Sequence, residues 1–368
     1  MTRAICHAAF VVLLSLVAGS VTARALPGVV FQTSVAPSAN DDASQACGYE
    51  LTLLDPARTI RGVWVIFDRG RDTLRYYGDP DVAAFARAHD LALLLAFHCA
   101  GKDPGQTKGD IDVEPAKGLG PMLFRALEQL ATMATHPELA TAKVVLLGFS
   151  GTGVLVARFP DYAPDRVLAV ITANAGHFDP VGLDTIRLSP RASSVPQLVI
   201  AWGSDAVSGT TRPYDYFRRH FEQGAPWAFL LQNGVPHCCA INAKPLVLAW
   251  LSAWLDASLS RVPAGARQRQ PASEPSFTRR GGSYGFIQTT ESELENCPPK
   301  GPTPKPPSCQ SRLDTWGGTN SKVRSATIDR RASPPRDMRP AGWFPSRSVA
   351  RAWLTLVTVP QHPITSLP

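Results

Sequence analysis

The sequence predicts an α/β protein with a mostly parallel sheet flanked by helices. The first observation is a series of short runs that are nearly continuous in Val, Ile and Leu, as strands buried on both faces should be. The second is that longer amphipathic stretches separate these runs, and such strand and helix alternation favours a parallel sheet covered on both sides. The third is a sharp change of composition near Leu259, which confines the predicted sheet to the preceding part of the chain.

The predicted elements follow one another along residues 48–258. The strands are Tyr49–Leu54, Val63–Phe67, Leu91–Phe97, Val144–Phe149, Val167–Thr172, Leu198–Trp202 and Trp227–Leu231. The helices are Asp81–Ala88, Met122–Thr135, Thr152–Arg158, Tyr214–Gln223 and Pro245–Asp256. Asp81, directly after Pro80, is the expected cap of the first helix.

The first 25 residues have the features of a signal peptide. Arg3 supplies a positive start, residues 8–18 are apolar, and Ala23-Arg24-Ala25 offers a small-residue cleavage site. This apolar run is shorter than the roughly 18–20 residues that a membrane span needs. We therefore expect a secreted or periplasmic protein with residues 26–260 as its catalytic domain and no membrane span.

Residues 261–368 differ from the rest in charge and proline content. They hold 16 of the 33 prolines and 16 of the 37 Lys and Arg residues, but only 7 of the 30 acidic residues, for a net charge of +9. This composition predicts a basic, partly disordered Pro/Ser-rich tail whose partner is unknown, and nucleic-acid binding is not expected. Truncation near Ala264 is expected to leave a folded domain, with Tyr284–Ile287 as the piece most able to dock on the sheet.

A serine is predicted at a tight turn between a strand and a helix. Gly148-Phe149-Ser150-Gly151-Thr152-Gly153 follows the strand Val144–Phe149. A serine hydroxyl must project from such a turn to reach both a base and a carbonyl carbon, and small neighbours leave room for the turn. Gly148 and Gly151 are the expected sources of that space. Ser150 is therefore the candidate nucleophile.

The motif resembles the nucleophile elbow of the α/β-hydrolase superfamily, G-x-S-x-G, with Thr152 in place of the last glycine. The resemblance implies a catalytic order of Ser, Asp, His, each after a strand. Asp205, after the strand Leu198–Trp202, matches the acid, and Asp179 is the alternative. His237, after Trp227–Leu231, matches the general base.

The same resemblance implies two donors for the tetrahedral oxyanion. One is the backbone N–H of Gly151, and the other lies in the loop after Val63–Phe67. Many superfamily members carry His-Gly there, whereas this chain has Arg69-Gly70. Gly70, Arg71 and Asp72 are all candidates for the second donor.

Six cysteines follow the predicted cleavage site, which in an exported chain suggests disulfides. Cys99 is expected to bridge to Cys238 or Cys239 beside the active site, and Cys297 to Cys309 within the tail. No Cys pair has C-x-x-C spacing, so neither a metal site nor a cofactor is expected.

These features favour a serine hydrolase that cleaves a small or polymer-derived acyl ester. A peptidase or thioesterase with the same triad is an alternative. A non-catalytic binding protein built on a decayed hydrolase is another, because Thr152 and Arg69 depart from the superfamily pattern.

Overall fold

The structure, a computed structural model, describes residues 28–99, 115–175, 187–205, 208–237, 243–259, 282–292 and 320–358. Within these ranges eleven strands form one sheet. The strands are β1 (Val29–Val35), β2 (Cys47–Leu53), β3 (Gly62–Phe67), β4 (Leu91–Phe97), β5 (Val144–Phe149), β6 (Val167–Ala173), β7 (Gln197–Trp202), β8 (Ala228–Gln232), β9 (Ser283–Ser292), β10 (Asn320–Asp329) and β11 (Arg339–Phe344). The predicted signal peptide lies outside the described residues.

The spatial order of the sheet is β1-β2-β4-β3-β5-β6-β7-β8-β11-β9-β10. The six strands from β4 to β8 are parallel. β1 and β2 are antiparallel at one edge, and β11, β9 and β10 are antiparallel at the other. The predicted fold class, a mostly parallel sheet flanked by helices, is confirmed.

The central strands are apolar along their whole length because both faces of the sheet are covered. Trp64 and Ile66 of β3 enter one core cluster, whereas Val63, Val65 and Phe67 enter the other. Successive side chains of the strand thus point to opposite faces of the sheet. This two-sided burial is the reason that nearly continuous Val, Ile and Leu runs locate the strands.

Helices cover both faces of the sheet. They are α1 (Arg71–Tyr77), α2 (Pro80–Ala88), α3 (Leu119–Ala134), α4 (Gly151–Tyr162), α5 (Pro190–Ser193), α6 (Thr211–Glu222), α7 (Lys244–Leu259) and α8 (Arg347–Thr358). Among the helices described, none is both long and apolar enough to cross a lipid bilayer.

The cap of α2 is Asp79, and the expectation of Asp81 was wrong. Oδ1 of Asp79 accepts hydrogen bonds from the backbone N–H groups of Asp81 at 2.8 Å and Val82 at 3.3 Å. Pro80 takes the first helical position, where its missing N–H costs nothing. The cap consequently falls one residue before the proline.

A disulfide joins Cys47, at the start of β2, to Cys99, just after β4. The expected bridge from Cys99 to Cys238 or Cys239 was therefore wrong. β2 and β4 are antiparallel neighbours with Gly48 opposite Phe97, so the two cysteines lie at the same end of the pair, with 4.4 Å between their Cα atoms. Residues 238–239, 297 and 309 lie outside the described part of the chain.

Three strands of the basic C-terminal segment, β9, β10 and β11, belong to the sheet, and its helix α8 packs on them. Gly342 of β11 pairs with Ala228, and the N–H of Trp343 donates to the carbonyl of Trp227 at 3.0 Å. The core cluster of one face is extended by buried residues of β9, β10, β11 and α8, which are Ile287, Val323, Ala341, Trp343, Phe344, Val349, Ala350, Trp353 and Val357. The described part of this segment thus closes the β8 edge of the sheet.

Candidate active site

Ser150 occupies a strained turn between β5 and α4. Its backbone angles are φ 55° and ψ −122°, a left-handed φ that few residues other than glycine adopt. Its N–H donates to the carbonyl of Ala173 at 2.9 Å, and its carbonyl accepts from the N–H of Gly153 at 2.9 Å. These bonds hold the turn, so the hydroxyl projects from the carboxyl edge of the parallel strands.

Thr152, which departs from the superfamily motif, is part of the turn's hydrogen bonding. Its buried Oγ1 accepts from the N–H of Phe149 and donates to the carbonyl of the same residue, both at 2.8 Å. The hydroxyl therefore satisfies two backbone groups at the end of β5. The departure from glycine is compatible with an ordered elbow.

The glycines that the elbow requires are Gly148 and Gly153. A Cβ at Gly148 would overlap the carbonyl of Thr152, and one at Gly153 would lie 3.0 Å from the Cβ of Ala175. At Gly151 the contacts of such a Cβ are of ordinary length, the shortest being 3.4 Å. The expectation that Gly151 supplies space for the turn was thus wrong, and that role belongs to Gly153.

Ser150, His237 and Asp205 form one hydrogen-bonded chain. The Nε2 atom of His237 lies 3.1 Å from Oγ of Ser150, and its Nδ1 lies 2.9 Å from Oδ2 of Asp205. A carboxylate can only accept, so Nδ1 carries the proton and Nε2 is left to accept from the serine hydroxyl. The three residues predicted to act together are within hydrogen-bond distance.

Asp205 is fully buried, and several donors compensate the burial of its charge. Its Oδ2 accepts from Nδ2 of Asn174 at 2.9 Å in addition to His237, and its Oδ1 accepts from the N–H of Ser208 at 2.9 Å. Oγ of Ser208 donates to the carbonyl of Asn174 at 2.8 Å. A buried carboxylate needs such partners, because desolvation of an unpaired charge is costly.

Asn174 and Ser208 were not anticipated from the sequence. Asn174 directly follows β6 with φ 52°, and its N–H donates to the carbonyl of Ile200. Its position was a usable signal, since a polar residue that ends a buried parallel strand lies at the same edge as Ser150 and Asp205. Asp179, the alternative acid, lies outside the described residues.

Aromatic rings surround His237, which is 19% exposed. The ring of Phe149 lies 5.4 Å from the imidazole and that of Trp202 lies 6.4 Å away, centroid to centroid. These rings limit the orientations open to the imidazole. They also leave one side of it accessible at the serine.

Two loops that carry the acid and the histidine are bonded to each other. The N–H of Gly203 donates to the carbonyl of Gln232 at 2.8 Å, and the N–H of Ser204 donates to that of Val235 at 3.1 Å. The separation of Asp205 from His237 is therefore set by backbone bonds that continue the β7–β8 pairing.

Strand β10 packs against the same loops. Asn233, buried, accepts from the N–H of Val323 at 2.9 Å and donates to its carbonyl at 3.2 Å. A Cβ at Gly203 would lie 2.6 Å from the carbonyl oxygen of Ser321. The C-terminal segment is thus in contact with both loops of the site.

The candidate oxyanion donors differ in whether their backbone N–H groups already donate a hydrogen bond within the protein. Gly151 is the first residue of α4 and Arg71 is the first of α1, and first-turn N–H groups have no acceptor within their helix. The N–H of Gly70 instead donates to Oδ1 of Asp68 at 2.8 Å. Gly151, Arg71 and, by the same rule, Asp72 therefore have N–H groups without an acceptor in their own helix.

Ser150 after β5, Asp205 after β7 and His237 after β8 follow the order that the resemblance to α/β hydrolases implies. No family model matches the chain, and no curated protein matches it in sequence. Solved structures do resemble it. An esterase of Pyrococcus furiosus, Pf2001, aligns at a TM-score of 0.44 and 12% identity over 63% of this chain and 93% of that one. FphF, a fluorophosphonate-binding serine hydrolase of Staphylococcus aureus, aligns at 0.41 and 10% over 62% and 99%.

A third similar structure, from Bacteroides ovatus, is described as a candidate dipeptidyl aminopeptidase IV. It aligns at a TM-score of 0.43 and 10% identity over 62% of this chain, which spans only 36% of that protein.

Proposed function

We propose that this chain is an exported serine hydrolase that cleaves small or polymer-derived carboxylic esters. The observation that carries the proposal is the hydrogen-bonded chain from Ser150 through His237 to Asp205, with 3.1 Å and 2.9 Å between the bonded atoms. The strained φ of Ser150 supports it, since non-glycine residues in this conformation cluster at functional sites.

In the proposed first step, Oγ of Ser150 attacks the acyl carbon while Nε2 of His237 takes the hydroxyl proton. The carbonyl π electrons move to oxygen and give a tetrahedral oxyanion. Asp205 holds the imidazole in the tautomer that can accept this proton and stabilises the resulting imidazolium.

The intermediate then collapses. The bond from carbon to the leaving oxygen breaks, His237 returns its proton to that oxygen, and an alcohol departs from the acyl-enzyme. Water attacks the acyl carbon with His237 again as base, and the Ser150 oxygen leaves with the proton from the imidazolium. The products are one carboxylic acid and one alcohol, and each step uses side chains of the triad and water.

The backbone N–H groups of Gly151 and Arg71 are the proposed oxyanion donors. Each begins a helix, so its N–H points out of the helix end, where the partial positive charge favours an anion. Loss of one such donor typically lowers kcat by about 10²–10³-fold.

Export is part of the proposal. The disulfide between Cys47 and Cys99 supports it, because such bonds persist in oxidising compartments and are rare in the cytosol. The residues of the predicted signal peptide supply the second argument.

A fluorophosphonate probe tests the proposal, since it phosphonylates only an activated serine. The wild-type protein is expected to be labelled, and Ser150→Ala is expected to lose the label with an unchanged melting temperature. Ser204→Ala is the matched control, because Ser204 is an exposed serine in the loop before Asp205. An unlabelled, folded wild type would instead support a non-catalytic binding protein.

Matched ester, thioester and anilide substrates then test the bond that is cleaved. The proposal expects the ester to have the highest kcat/KM. A higher value for the thioester or the anilide would assign the same triad to a thioesterase or a peptidase.

A further inference from the structure

An arginine side chain lies beside the proposed nucleophile. Arg69, two residues after β3, places its guanidinium against Gly151. From the position that a Cβ would take at Gly151, the distances are 3.4 Å to Nη2, 3.5 Å to Cζ and 3.8 Å to Nε. All three are ordinary contact distances, so the plane of the guanidinium covers the residue that follows Ser150.

The backbone that carries this side chain is held in place. The N–H of Arg69 donates to Oγ1 of the buried Thr73 at 2.9 Å. The next N–H, of Gly70, donates to Oδ1 of Asp68 at 2.8 Å. The guanidinium therefore extends from an ordered turn toward the elbow, and the residue is exposed to solvent.

The position of Arg69 matters because Gly151 is the proposed oxyanion donor. An oxyanion sits about 2.7–3.1 Å from its donor nitrogen, and a guanidinium holds a carboxylate at about 2.7–2.9 Å. Because the guanidinium contacts Gly151, a carboxylate bound by Arg69 would lie close to the oxyanion, within the span of a short acyl chain.

Arg69 interacts within the protein. A guanidinium has five N–H donors in a planar fork and stays charged at every working pH. Because its donors point in several directions, a guanidinium can bind an anion in addition to a protein partner.

We propose that Arg69 selects esters whose acyl part carries a second, free carboxylate, such as half-esters of short dicarboxylic acids. The inference rests on the proposed esterase function and names the substrate class of that site. A neutral ester would fill the same place without the charge-assisted bond.

A pair of ethyl esters of equal shape tests the inference. Monoethyl succinate carries the carboxylate, and ethyl 4-methylpentanoate replaces it with an uncharged branch, with ethanol release as the readout. Wild type is expected to prefer the succinate. Arg69→Gln is expected to lower kcat/KM for the succinate about 10- to 100-fold, mainly through KM, and to change the neutral ester by less than about threefold.

Two variants serve as controls. Arg69→Lys keeps the charge without the fork and is expected to recover part of the loss. Arg61→Gln removes an exposed arginine at the opposite end of β3 and is expected to leave both esters unchanged.

The outcomes separate the inference from the function on which it rests. An equal loss on both esters in Arg69→Gln would show that Arg69 stabilises the oxyanion or the fold, and no loss on either would show that it does not bind substrate. Either result overturns the inference while ester hydrolysis stands. A wild type that hydrolyses neither ester and takes no fluorophosphonate label would overturn both.

Discussion

Trp353 joins the C-terminal helix α8 to the last parallel strand, and we expect its removal to destabilise the whole domain. Its side chain is fully buried, and Nε1 donates to the carbonyl of Phe229 in β8 at 2.8 Å. Its ring lies 5.1 Å from that of Phe344, centroid to centroid. A Cβ at Gly285 would come within 3.0 Å of the indole, so strand β9 is packed directly on it.

The expected loss in Trp353→Ala follows from these contacts. Truncation of a buried aromatic side chain costs about 3–5 kcal/mol, and the lost hydrogen bond adds about 1 kcal/mol. The free energy of unfolding should fall by about 4–6 kcal/mol, a large part of the roughly 5–15 kcal/mol of a typical domain. At about 2–4 °C per kcal/mol, the melting temperature should fall by about 8–24 °C. Trp353→Phe keeps most of the ring and should lose about 1–3 kcal/mol.

Scanning calorimetry of the purified full chain checks these values. Thr355→Ala, on the exposed side of the same helix, is the control and should change the melting temperature by less than about 2 °C. If Trp353→Ala melted as wild type and kept full labelling by the probe, α8 would not belong to the cooperative unit. The argument that the C-terminal segment completes the sheet would then fail.

Two further predictions concern the triad and the effect of acid. Asp205→Asn should lower kcat roughly 10³–10⁴-fold in an ester assay, because an amide favours the wrong tautomer of His237; retained activity would move the acid to another residue, such as Asp179. Burial lowers the pKa of His220 below its ordinary 6.5. Above that pH the ring is neutral in both states, whereas below it the unfolded chain binds a proton that the folded chain resists, so stability falls toward acid. Urea unfolding at about pH 7.5 and 5.5 should show a smaller pH dependence for His220→Gln than for wild type.

Much of the sheet could be predicted because its strands are buried on both faces. Val144–Phe149 and Leu91–Phe97 are strands with the predicted limits, and the other predicted strands differ from the observed ones by at most two residues at either end. β1 was missed because it is an edge strand, and its Val29 and Val30 are exposed. Its sequence, VVFQTSV, lacks the continuous apolar character of a central strand.

The three triad residues of the candidate site could be predicted from their order along the chain. Ser150, Asp205 and His237 each follow a strand, and parallel strands bring such residues to one edge. The supports of the acid could not be predicted in the same way. The position of Asn174 at the end of a buried strand was a usable signal, but its contact with the acid is made by a side-chain amide and that of Ser208 by a backbone N–H. Neither contact has a spacing that marks it in a sequence.

The C-terminal segment shows how composition can conceal a structural role. A sheet that carries its acid and its base after the last two parallel strands has both catalytic loops next to an open edge, where unpaired backbone groups need covering. Here β11 pairs with part of β8, the indole of Trp353 satisfies the carbonyl of Phe229, and Asn233 bonds to Val323 of β10. These contacts are made by aromatic, amide and backbone groups, whereas proline and arginine dominate the average composition of the segment. Because the contacts end on the loops of Asp205 and His237, the segment is coupled to the site as well as to the fold.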